Sequence, residues 1–101
     1  DVYKRQGLQA VNILRNNSED RRRGVTFFPV GWDSGQMTAY ARRNLALADA
    51  YTQTLPDGPA LSFCRIPLTL AHGTLDALAD GREKLSRTDV LALIARVVNL
   101  K

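Results

Sequence analysis

Leu61, Cys64, Leu68, Ala71, Leu75 and Leu78 recur at alternating intervals of three and four. Side chains so spaced share one face of an α-helix, which advances ~100° per residue; a strand, with its period of two, would scatter them over both faces. The seam predicts a helix over residues 60–80, stopped by Gly81. Pro67 sits inside it and cannot donate to the Phe63 carbonyl, so a kink is expected there.

The rest of the chain reads the same way. Residues 3–23 form a first helix, with Ala10, Val11 and Leu14 on one face and Gly24 as its stop. Residues 25–36, VTFFPVGWDSGQ, form a connection punctuated by Pro29, Gly31 and Gly35; Pro29 keeps any extended run short. A second helix over 37–55 carries Met37, Tyr40, Ala41, Asn44, Ala48, Tyr51 and Leu55 on a packed face, with Asp33 or Ser34 as its cap. Pro56, Asp57, Gly58 and Pro59 make a tight break. The fourth helix spans 87–98, opened by Ser86 and Asp89 in capping-box spacing and striped by Val90, Leu93, Ile94 and Val97. No strand and no internal repeat is legible. The expectation is one all-α unit of antiparallel helices joined by short connections.

With 101 residues, 45% of them apolar, there is material for a single small core and no span of ~20 apolar residues for a membrane helix. One cysteine, Cys64, excludes an internal disulfide, and no Cys/His spacing suits zinc; a reducing, cytoplasmic setting fits. The net charge of +4, with Arg21, Arg22 and Arg23 consecutive, suits an anionic partner: a phosphate, a nucleic acid or an acidic membrane surface. No helix-turn-helix or RNA-binding signature accompanies the arginines, so nucleic acid is set aside, and peripheral membrane contact stays open.

The first helix carries the chemistry. Gln9, Asn12, Asn16 and Asp20 follow one another along a single stripe, flanked by Glu19. All bear side-chain oxygens, the ligand type of Mg²⁺, which commonly bridges one or two carboxylates to phosphates. Arg15, Arg21, Arg22 and Arg23 could meet phosphate oxygens directly. Spacing alone favours the plainer reading, a solvated polar face.

The stretch NILRNNSEDRRRG, preceded by GLQ and followed by an aromatic-aromatic-Pro turn, resembles the second aspartate-rich motif of the squalene and phytoene synthases, N-[IF]-L-R-D-x-x-E-D-x-x-R-G-R-x-Y-L-P. The resemblance extends in pattern through the Pro-containing helix to Lys84, Leu85, Ser86 and Arg87, where the family has a KLSR-type segment. It implies part of an isoprenoid-synthase fold and a parent that condenses two prenyl diphosphates, of farnesyl or geranylgeranyl type, head to head. It implies Mg²⁺ held through diphosphate by Asn12, Asn16 and Asp20, and substrate contacts from Gln9, Arg15, Glu19, Arg23 and Phe27; a squalene-type parent would add NADPH. Asn16 departs from the family's first Asp, Val25 from its Arg, and Phe27 from its Tyr. Those losses keep open a second reading, a non-catalytic helical interaction module.

The opening DVYKRQ reads as a translated sequencing adapter, so residues 1–6 are expected to be a scar and residues 7–101 the C-terminal part of a synthase-like domain. The family's other acidic motif would lie in a missing N-terminal half, and the piece alone is expected to be inactive. It is also expected to be marginally stable or self-associating.

Four further groups read as bland. His72, the sole histidine, shows no acidic or serine partner at catalytic spacing and reads as a core or surface residue; Cys64 reads as a small buried hydrophobe. Arg42 and Arg43 read as a solvated face, and Met37 with the Tyr40–Tyr51 stripe as core. Phe27, Phe28 and Trp32 line a cavity or pack on their own domain.

Overall fold

The computed structural model describes residues 2–82 and 84–99. It contains four helices and, among the described residues, no strand: α1 (Val2–Arg22), α2 (Ser34–Thr52), α3 (Pro59–Ala79) and α4 (Arg87–Asn99). The expected all-α class is what the structure shows.

Boundaries follow local chemistry. α1 ends in a Schellman motif: the Val25 N–H reaches the Asp20 carbonyl at 2.9 Å and the Gly24 N–H reaches Arg21 at 3.0 Å. The reversal needs a left-handed residue, and Gly24 supplies φ +79° without a Cβ penalty. The same motif closes α3, through Arg82 to Ala77 at 2.9 Å and Gly81 to Leu78 at 3.0 Å, with Gly81 at φ +85°.

α2 begins at Ser34, earlier than the expected residue 37, because Asp33 and Gln36 make a full capping box. The Asp33 Oδ1 accepts from the Gln36 N–H at 2.8 Å, and the Gln36 Oε1 accepts from the Asp33 N–H at 2.9 Å. The helix also stops at Thr52, short of the expected residue 55. α3 runs on through Pro67. The carbonyl that proline leaves without an N–H belongs to Phe63, which is 74% exposed, so solvent can satisfy it.

α1 and α2 form an antiparallel hairpin, α3 packs across both, and α4 packs on α3 alone. The core lies between the hairpin and α3. Ala10, Val11 and Leu14 face Ala41, Leu45 and Ala48 within it, and Leu68, Ala71 and Leu75 seal it from α3. Leu45 and Leu68 are its largest fully buried side chains, each contributing about 1.5–3 kcal/mol of transfer free energy. Of the residues expected on packed faces, Tyr51 stands out at 55% exposure, and Cys64 is only partly buried.

An ion pair and a histidine–carboxylate hydrogen bond strap α2 to α3. Arg42 donates to Asp76 at 3.1 Å, and His72 Nε2 lies 2.8 Å from Asp49 Oδ2. The accessible surface is 6824 Å², where a compact monomer of 11.2 kDa shows about 5,700 Å². Phe63 of α3 and Leu91 of α4 add apolar surface, at 74% and 62% exposure.

Candidate functional site

The inward face of α1 is Gly7, Ala10, Val11 and Leu14, which fixes what the rest of the helix can do. Gln9, Asn12, Arg15, Asn16 and Glu19 turn to solvent on the outer side. Asp20, at the end of that stripe, is instead buried, at 6% exposure. Its Oδ1 accepts from the Arg23 guanidinium at 3.1 Å, while its own carbonyl closes the Schellman motif. Glu19 pairs with Arg22 at 3.4 Å, with both side chains exposed.

The expected ligands therefore do not converge by themselves. Asn12 and Asn16 offer neutral, exposed amides, and Asp20, the one carboxylate of the stripe, already neutralises Arg23. Mg²⁺ demands a near-octahedral shell of oxygens at ~2.1 Å and usually one or two carboxylates. Among the described residues no three His, Cys, Asp or Glu side chains gather as a metal-binding group. Taken alone, this donor set does not fit a resident magnesium ion.

What the fold does bring together is an apolar pocket of about 410 Å³ on the hairpin face opposite α3. Ala10 and Ile13 of α1, Met37 and Tyr40 of α2, and Phe27 and Trp32 of the connection line it, with Gln9 at its edge. The 25–33 connection shapes this pocket. Phe28 is buried as an anchor at 8% exposure, which leaves Phe27, 59% exposed, on the pocket side. Trp32 meets Tyr40 edge to face, ring centroids 5.6 Å apart at 67°. The Arg43 guanidinium stands 5.8 Å over the Tyr40 ring, placing a cation behind one wall. Arg5 and Gln6 also border the pocket, within the six residues expected to be a scar.

The site residues expected from sequence thus divide in two. Gln9 and Phe27 meet at the apolar pocket. Asn12 and Arg15 open instead on a groove of about 260 Å³ between α1 and α3, lined also by Leu8, Pro67 and Thr74. Arg23 and Glu19 are held in local ion pairs at the end of α1.

Sequence reading missed two contacts. His72 does have an acidic partner, Asp49, but the two lie on different helices, so spacing along the chain could not show it. Arg42, expected on a solvated face, is tied to Asp76 across the same interface. The acid–arginine–serine cluster before α4 was legible only in part. The Ser86 backbone N–H, then the Arg82 guanidinium at 2.7 Å, then the Ser86 hydroxyl hold the Asp89 carboxyl below its ordinary value.

Among the described residues no helix is long and apolar enough to cross a membrane. Compared with protein-family models, with curated proteins and with solved structures, the chain finds no match.

Proposed function

We propose that the chain is the isoprenoid-holding part of a squalene- or phytoene-synthase-like protein, without turnover of its own. The observation that carries this reading is the motif NILRNNSEDRRRG on α1 together with the apolar pocket that the same helix walls. In this reading the prenyl chain lies among Ile13, Phe27, Trp32, Met37 and Tyr40. Dispersion and exclusion of water hold it, and the aromatic faces would steady a developing allylic cation. Gln9 lies at the edge where a diphosphate head would leave the apolar lining. Arg23 lies further along α1 and Arg15 on the groove toward α3, so each would meet phosphate oxygens only beyond that edge.

Trp32 is the sole tryptophan and lines the pocket, so its emission reports occupancy. Titration with a non-hydrolysable farnesyl thiodiphosphate, with and without Mg²⁺, should give a saturable change that farnesol reproduces only weakly. Ile13→Glu should weaken it at least tenfold. Absence of a saturable change in both conditions overturns the reading; equal binding of farnesol removes its diphosphate part.

The second reading, a helical module that keeps the fold and has lost the metal chemistry, draws on Asn16 and on the Asp20–Arg23 pair. Binding that is indifferent to Mg²⁺ favours it.

A further inference from the structure

Arg65 differs from every other arginine among the described residues. The rest are exposed; Arg65 is partly buried. Arg22, Arg23, Arg42 and Arg82 each reach a carboxylate at 2.7–3.4 Å, whereas no ion pair involves Arg65 among the described residues. Without a counter-charge its guanidinium keeps several donors to satisfy.

Its surroundings supply matching groups. Arg65, Thr69 and His72 are spaced four and three apart, so they share one face of α3, and they line a cleft of about 300 Å³. Across it, from α2, stand Asp49, Thr52 and Gln53; Leu68 closes the floor. Thr52 is occupied, its hydroxyl donating to the Ala48 carbonyl at 2.9 Å. Asp49 is occupied too, its Oδ2 lying 2.8 Å from His72 Nε2, which fixes the ring across the interface. The Asp49 carboxylate is thereby hydrogen-bonded within the cleft, and Arg65 is the cation there that forms no ion pair. The Thr69 hydroxyl and the Gln53 amide add neutral donors beside it. The cleft shares no lining residue with the apolar pocket.

We propose that this α2–α3 cleft binds a small phosphate-type oxyanion, with Arg65 as the charge-bearing contact and Thr69 and Gln53 as flanking donors. Guanidinium meets phosphate through paired, charge-assisted N–H bonds, a geometry that lysine cannot reproduce. The proposal does not depend on the function of the pocket.

The test is a titration of the whole chain with inorganic phosphate at one fixed pH, followed by NMR. Saturable shifts are expected at the His72 ring, the Gln53 side-chain amide and the Thr69 backbone. Arg65→Gln should weaken binding about tenfold or more, as loss of a charge-assisted bond implies. Arg96→Gln, the same charge change on α4, should leave it intact. Glycerol phosphate in a parallel arm separates a phosphomonoester site from one that admits only the free ion. Shifts that rise linearly, or that Arg96→Gln weakens as much as Arg65→Gln, overturn the proposal. Should Arg65→Gln fail to fold by circular dichroism, Thr69→Val and Arg65→Lys carry the test; unchanged affinity in both overturns it.

Discussion

The two hairpins of this molecule use the same device with different tightness. In the first, Gly7 of α1 lets α2 come so close that an added Cβ would meet Leu45 Cδ2 at 2.8 Å and the Leu45 backbone nitrogen at 3.2 Å. In the second, Gly73 of α3 admits α4, and an added Cβ would meet Leu93 Cδ1 at 2.6 Å, with Leu85 methyl carbons next at 3.4 and 3.6 Å. One glycine faces backbone; the other faces only the tips of side chains, which can turn aside. Burial follows suit. Leu45 is fully buried, Leu93 only partly, and Val97 is the one buried α4 residue among those described. The first hairpin is a wall that holds a pocket; the second is an attachment.

The largest consequence is in the core. Leu45→Ala should lower stability by about 3–4 kcal/mol, because transfer and cavity terms add at a site packed from three helices. Leu93→Ala should cost about half as much or less, read from urea midpoints at constant m-value. Equal losses would break the comparison.

Next come the glycines. Gly7→Ala forces α1 and α2 apart and should cost about 1–3 kcal/mol. Gly73→Ala should stay within about 1 kcal/mol of neutral, since a rotating Leu93 offsets the crowding and alanine favours the helix by about 1 kcal/mol. A larger cost at Gly73 would show α4 to be seated as firmly as α2.

The caps sharpen the contrast on a smaller scale. Asp33→Ala should cost about 1 kcal/mol by removing the side-chain half of the α2 box. It should also disturb Trp32 emission, because the cap adjoins the pocket. At the start of α4 the effect is a dependence on pH. Asp89 titrates below its ordinary 3.8 when folded, so the stability it adds is complete above that value and fades as pH falls through the lowered one. Hydrogen exchange of the first turn of α4 should accelerate below about pH 4 before α1 and α2 respond. Asp89→Asn should remove that early phase; its persistence would place the acid-sensitive group elsewhere.

How much of this was legible differs by element. Both Schellman glycines, the Ser86–Asp89 cap and the seam of α3 could be read directly, because each depends on residues within one or two turns. The start of α2 was read late because Gln36 looked like loop. Its role as the reciprocal half of a box is visible only once Asp33 is fixed as the cap. The candidate site was less legible. Gln9 and Phe27 meet, while Asn12 and Arg15 turn to a different groove, since a stripe on a helix has breadth and its two edges face different neighbours.

By itself the sequence determined that there are four helices, where glycine stops α1 and α3, and most of the face that α3 buries, because periodicity, capping and proline or glycine chemistry act over a few residues. Only the tertiary structure decided that Asp49 would find His72, that Arg42 would reach Asp76, and that Arg65 would be left without a carboxylate. Those outcomes depend on where one helix crosses another, and a crossing is set by the packed shapes of both partners.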